Sequence, residues 1–301
     1  MNIFMTGATG YIGGSVAAAM MAAGHEVSGL VRSDARADQA RDHGIAPVFG
    51  SLDDADVLAE SAAEADAVIN CASSDHRGAA EAMLAALEGS QKPFLHTSGS
   101  SIVGHADGGE AVDDVFDEAS PLNPSLGRAA RAALNDDILA WADRGVRAVI
   151  LCPSLIYGLG RGAAEHSMQV PWLIELAEKY GIARHIGPGA NIWSNVHIDD
   201  LVGLFGLALE SAPAGGFYFA ENGENSMREV CEAINAMMGI GLFPESMTLE
   251  EASAEWGENA AHNTMGSNSR VRAKRAREEL GWSPGAPSLL DEIMTGCYAD
   301  G

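Results

Sequence analysis

The sequence predicts an α/β fold, a doubly wound parallel sheet with a smaller, mainly helical C-terminal lobe. Three observations predict it. Up to residue 151, short apolar runs alternate with amphipathic stretches, the order that right-handed crossovers turn into a parallel sheet. The chain opens on an apolar run, a glycine-rich turn and a helical pattern, Thr6-Gly7-Ala8-Thr9-Gly10-Tyr11-Ile12-Gly13-Gly14. After Pro153 the alternation breaks and helical patterns dominate.

In order, the strands of the first half are expected at Asn2–Met5, Glu26–Val31, Pro47–Phe49, Ala67–Cys71, Phe94–Thr97 and Arg147–Leu151. Helices fill the gaps near 12–23, 35–43, 53–63, 77–89 and 127–144. A glycine-rich loop follows from Tyr157 to Gly162. The next helix starts near Pro171, a residue suited to a first turn. Another follows Asp199-Asp200, with Asp199 as its cap. A strand at Gly216–Ala220 and helices near 226–238, 249–257 and 270–280 come next, and the tail after Pro284 forms one short helix. Residues 1–155, rejoined by about 192–220, are expected to form one domain; 156–191 and 221–301 form the second lobe.

The opening turn points to a dinucleotide. Gly7 permits the tight turn, Gly10 removes a side chain where a pyrophosphate nears the backbone, and Gly13 lets helix and strand pack. The helix N-terminus offers free N–H groups and partial positive charge to the phosphates. Gly7, Thr9, Gly10, Tyr11, Ile12 and Gly13 are therefore the cofactor-binding residues of this segment. At the end of the second strand stand Arg32 and Ser33, which suit a ribose 2′-phosphate and favour NADP over NAD. Asp34 is the counter-signal, since an acid there would hold a 2′-hydroxyl.

Composition excludes several classes. A formal charge of −24 repels nucleic acid and anionic lipid. No apolar run reaches membrane-spanning length. The chain begins on a core strand, so a cytoplasmic protein without a signal peptide is expected. Cys71, Cys152, Cys231 and Cys297 are far apart, which fits reduced thiols and no metal site.

These segments, with Asn70-Cys71-Ala72, His96-Thr-Ser-Gly-Ser-Ser-Ile-Val-Gly104, Cys152-Pro-Ser-Leu-Ile-Tyr-Gly158, Val196-His-Ile-Asp-Asp-Leu201 and Leu280-Gly-Trp-Ser-Pro284, run in the order of the extended short-chain dehydrogenase/reductase family. The chain resembles that family, which includes nucleotide-sugar epimerases and dehydratases, over nearly its whole length. The resemblance implies a Rossmann domain, a substrate lobe and a cleft at the carboxyl ends of the strands. It places Ser51 and Leu52 at the adenine, Cys71, Ala72 and Ser73 beside the ribose, and Pro153, Ser154 and Leu155 under the nicotinamide. The family's Tyr-x-x-x-Lys pair is missing: none of the five tyrosines has a lysine four residues on. Leu126 and Ala130 stand in those places, and Gly99 in that of the family's serine. The chain is thus similar to atypical members, which share Ser167-Met-Gln-Val-Pro171 and Asn191-Ile-Trp-Ser-Asn-Val-His197.

Ser98, Ser100 and Tyr157 are the candidate catalytic groups. The serines sit by motif order at the carboxyl end of the fifth strand. Tyr157 sits at the mouth of the cleft, with Arg161 four residues on to lower its pKa. His166 and Gln169 are candidate substrate contacts. Arg128 or Arg131 could stand in for the lost lysine at the ribose. The leading expectation is an NADPH-dependent reductase of a small carbonyl or imine. A sugar-nucleotide epimerase or dehydratase and a non-catalytic redox sensor are the alternatives, and a homodimer is an open expectation.

Overall fold

The computed structural model describes residues 1–299. In the first half, strands β1 (Asn2–Thr6), β2 (Glu26–Val31), β3 (Ala46–Phe49), β4 (Ala67–Asn70) and β5 (Pro93–Thr97) alternate with helices α1 (Tyr11–Ala22), α2 (Asp34–Asp42), α3 (Ala55–Glu64) and α4 (Arg77–Ala86). A two-residue β6 (Phe116–Asp117), α5 (Ala129–Leu139) and β7 (Arg147–Pro153) follow. The chain continues through β8 (Leu155–Tyr157), α6 (Gln169–Tyr180), β9 (Arg184–Ile186), β10 (Ile192–His197), α7 (Ile198–Ser211) and β11 (Gly216–Ala220). It ends with β12 (Glu224–Ser226), α8 (Met227–Met237), β13 (Glu245–Met247), α9 (Leu249–Trp256), α10 (Glu258–Ala260), β14 (Val271–Arg272), α11 (Lys274–Leu280) and α12 (Leu289–Met294).

Seven of these strands form one parallel sheet in the order β11-β7-β5-β4-β1-β2-β3. The central strands read as continuous apolar runs because helices cover both faces: β4 and β5 are buried at every position. One helical layer packs α1 on α7 and α7 on α11; the other packs α3 on α4 and α4 on α5. The order reverses beside β1, so the loops after β1 and β4 diverge at the carboxyl edge and leave a crevice.

The C-terminal lobe has its own core, including Leu155, Tyr157, Val170, Trp193, Met227, Ile234 and Ile293. It is less helical than its sequence suggests. A three-stranded sheet, β12-β10-β8, and the parallel pair β13-β9 run through it. Two boundaries also differ from expectation. The helix near Pro171 starts two residues earlier, at Gln169. Helix α7 is capped by His197, whose Nδ1 accepts from the Asp199 N–H at 3.1 Å. Asp199 lies in the first turn instead, where its carboxylate pairs with Arg161 at 2.8 Å.

Candidate cofactor groove and reaction end

The turn between β1 and α1 is built for an anion. Gly7 adopts φ +72°, a backbone conformation that side chains disfavour. A Cβ on Gly13 would overlap the Gly7 carbonyl, so this glycine is needed for packing. A Cβ on Gly10 would meet only the Gly7 oxygen, at 3.2 Å, and otherwise points into open space. The first backbone bond of the helix runs from Gly14 N–H to Gly10 at 2.7 Å, and no side chain caps Gly10. The N–H groups of Tyr11, Ile12 and Gly13 are thus free, and no acid stands in the first turn to repel a phosphate. These residues fit a dinucleotide pyrophosphate.

A groove of about 450 Å³ extends from the turn over the ends of β2, β3 and β4. Gly7, Thr9, Gly10, Arg32, Ser51, Leu52, Cys71 and Ala72 line it, eight of the residues expected at the cofactor. Arg36, Asp53 and His76 line it as well. Arg32 is exposed at the end of β2. Ser33 caps α2 by accepting from the Arg36 N–H at 3.4 Å, and Asp34 begins that helix. Neither lines the groove. The Ser51 N–H donates to Asp54 at 2.6 Å, which fixes the turn after β3. Sequence reasoning missed His76. Its Nδ1 accepts from the Ala79 N–H at 3.0 Å, so its proton sits on Nε2 and faces Asp53 at 3.1 Å. Asp53 and His76 meet 23 positions apart, across one crossover, and no local spacing signals that.

A second cavity of about 270 Å³ shares Gly10 and Cys71 with the first and continues toward the C-terminal lobe. Tyr11, Ile12, Gly13, Ser154, Ile156, His166 and Gln169 line it. The expected substrate contacts therefore meet the helix N-terminus at one place. Pro153 and Leu155 do not line it. Strand alternation turns Ile156 outward and buries Leu155 and Tyr157 in the second core. Ser73 is held in a turn, accepting from the Asp75 N–H at 3.2 Å.

The three hydroxyl candidates are placed differently from one another. Ser98 is 6% exposed and accepts from Asn135 Nδ2 at 3.0 Å. Ser100 turns away into the protein and shares a 2.8 Å contact with the Ser269 hydroxyl. Tyr157 is not at a cleft mouth. It is fully buried, stacks edge-on against His197, and donates to the Pro287 carbonyl at 2.8 Å. Burial, then the Asp200 and Glu292 charges, push its pKa up. Arg161, expected to pull it down, is occupied by Asp199. The phenol nearest the groove is Tyr11, which donates to the Gly158 carbonyl at 2.8 Å; burial raises its pKa too.

Beneath the reaction end runs a buried polar chain. Thr6 Oγ1 accepts from the Ala72 N–H at 3.2 Å, so its proton goes to Asn70 Oδ1 at 2.5 Å. Asn70 Nδ2 then donates to His96 Nδ1 at 2.9 Å, which assigns the imidazole proton to Nε2. Burial, and after it the Arg131 charge, pull the His96 pKa down to about 4. Arg131 forks onto Asp75 through bonds of 2.7 and 2.6 Å and reaches Ser101 at 3.1 Å. Among the described residues no group of three or more His, Cys, Asp or Glu could hold a metal ion, and no helix is long and apolar enough to cross a membrane.

Comparison with known proteins agrees with this fold. The chain is 33% identical to an oxidase of Acremonium sp, ucsJ, over 97% of this chain and 95% of that one. It is 27% identical to a 4-hydroxy-2-methyl-3-oxo-4-farnesyl-3,4-dihydroquinoline-1-oxide ketoreductase of Stigmatella aurantiaca, covering 74% of this chain and 69% of the other. A dTDP-glucose 4,6-dehydratase of Streptomyces venezuelae, solved with NAD, superposes with a TM-score of 0.78 at 20% identity, over 99% of this chain and 96% of that one. The family model for the NAD dependent epimerase/dehydratase family matches residues 3–218, and together with the Acremonium relative it shows that this chain is a member of that family and an NAD(P)-binding oxidoreductase.

Proposed function

We propose that the protein is an NADPH-dependent reductase of a small carbonyl or imine. The observation that carries this reading is the continuity of the groove. It runs from Arg32 and Arg36, past the free N–H groups of α1, to a cavity where Ser154, His166 and Gln169 face Gly10 and Tyr11. Bound there, the reduced cofactor supplies a hydride. The chain's own residues hold the phosphates, shut one wall with Ile156 and offer the His166 imidazole and the Gln169 amide to the acceptor, while the Ser154 hydroxyl is committed to the Ala220 carbonyl. The ketoreductase relative supports the direction of transfer. Epimerisation and dehydration are less well served, because they start by removing a proton from an alcohol. The buried Tyr157 and the committed Tyr11 hydroxyl are both held as neutral phenols.

The NADPH preference rests on Arg32, which is exposed, with no carboxylate partner among the described residues. Removing a charge-assisted contact to a 2′-phosphate costs roughly 1.5–3 kcal/mol, or about one to two decades in affinity. Arg32→Ala should weaken NADPH binding by that amount in a fluorescence titration and leave NADH binding within about twofold. Equal losses for both cofactors would remove the phosphate role. NADPH consumption over a panel of ketones, aldehydes and imines tests the reaction; binding without turnover of any of them would favour a redox sensor.

A further inference from the structure

Helix α5 brings two guanidinium groups to one carboxylate. Arg131 is 13% exposed and takes both oxygens of Asp75. Asp75 is thereby satisfied, and the Arg131 guanidinium holds its carboxyl below the usual range. Arg128, at the N-cap of the same helix, is partly buried and has no ion-pair or side-chain hydrogen-bond partner among the described residues. The charged groups near it are Arg131 and Asp75, and burial disfavours its cation. His96 lies fully buried in the field of Arg131. The cluster carries two positive charges against one negative in a chain whose net charge is −24.

It stands beside the cavity, which neither guanidinium lines. Strand β5 lies between β4 and β7, and the groove is lined by Cys71 after β4 and Ser154 after β7. Arg131 stands over the end of β5, with Nη1 3.3 Å from where a Cβ on Gly99 would sit. A Cβ at Gly99 would press on the guanidinium, which would have to give by a few tenths of an ångström.

We propose that Arg128, oriented beside the Arg131–Asp75 pair, binds a carboxylate of the substrate. The molecules this site takes are then small oxo or imino acids, not neutral carbonyl compounds. The proposal deepens the reductase reading and rests on it. An unpaired, half-desolvated guanidinium gains most from a ligand that is planar, bidentate and anionic. Arg131, already forked onto Asp75, fixes where that anion can lie.

The test has a binding arm and a turnover arm. In the first, trifluoroacetate is titrated onto protein saturated with NADP⁺ and followed by fluorine NMR. Saturable binding is expected, weakened about tenfold or more by Arg128→Gln. The NADP⁺ affinity and melting temperature of the variant should stay near wild type. In the second arm, 2-oxo acids are compared with their methyl esters as oxidants of NADPH. The acids should be preferred, and Arg128→Gln should erase the preference through KM. Trifluoroacetate binding that ignores Arg128→Gln overturns the proposal, whatever the turnover. So does an NADP⁺ affinity that falls with it, which would make Arg128 a cofactor anchor. Anion binding that depends on Arg128 without turnover of acid or ester keeps the subsite and removes the reductase reading.

Discussion

Two glycines three residues apart act on different things, and the distinction gives a sharp prediction. A Cβ on Gly13 would overlap the Gly7 carbonyl, whereas a Cβ on Gly10 meets only that oxygen at 3.2 Å and faces the groove. Gly10→Val should therefore fold, with a melting temperature within a few degrees of wild type, and lose cofactor binding in calorimetric titration. Gly13→Val should lose stability first, because α1 is forced off β1. A folded Gly10→Val protein with unchanged affinity would remove the turn from the binding site. The places of the glycines, Thr9, Arg32, Ser51 and Cys71 along the groove were legible because the order of motifs along the chain carries them. Leu155 and Tyr157 were misread because a three-residue strand decides which side chains face the groove, and three residues give no readable period. Arg131 and Asp75 meet across 56 positions of sequence, so no spacing could announce them.

At the scale of elements, the parallel sheet was legible almost strand by strand, because each buried strand is an apolar run bounded by helical periodicity. The small sheet of the C-terminal lobe was not. Strand β10 reads Ile-Trp-Ser-Asn-Val-His, and its buried polar groups look like loop residues until their partners are known. Ser194 bonds Val271, and Asn195 bonds Asn225. The cap of α7 was misassigned for a related reason: Asp199 has the usual capping chemistry, but His197 has the position. His197 also ties the lobes, since its Nε2 faces Glu292 of α12 at 3.5 Å, both side chains being buried. His197→Ala loses a cap and strands a buried carboxylate, and should cost about 2–4 kcal/mol in urea unfolding. Asp199→Ala loses a surface pair with Arg161 and should cost under about 1 kcal/mol. The reverse order would return the cap to Asp199.

Over the whole molecule, stability against pH carries opposed contributions, and burial lowers the pKa of His185 in the same direction as that of His96. Forty-two acidic residues against 18 basic ones leave a surface that repels itself, and protonating unpaired carboxylates relieves that repulsion as the pH falls. Against this stands His96, buried at the centre of the sheet with its pKa near 4, below an unfolded value of about 6.5. Between those values the unfolded chain binds the proton and the folded chain does not, so stability falls as the pH drops from about 6.5 to 4. A shift of that size corresponds to roughly 3 kcal/mol across the window. Glu224 adds a second loss lower down: held by Arg270, then Arg272, its pKa is pulled to about 2, so its stabilisation is lost from about pH 4.5 down to 2. Wild-type urea midpoints should therefore drop on going from pH 7 to 4.5. In His96→Gln, which keeps a polar group for Asn70 but has nothing to titrate, the same descent should flatten or turn upward as repulsion fades. High salt should shrink the upward part, because it screens the surface carboxylates and leaves a buried imidazole nearly untouched. A His96→Gln profile parallel to wild type would place the acid sensitivity elsewhere and remove His96 as the group that sets it.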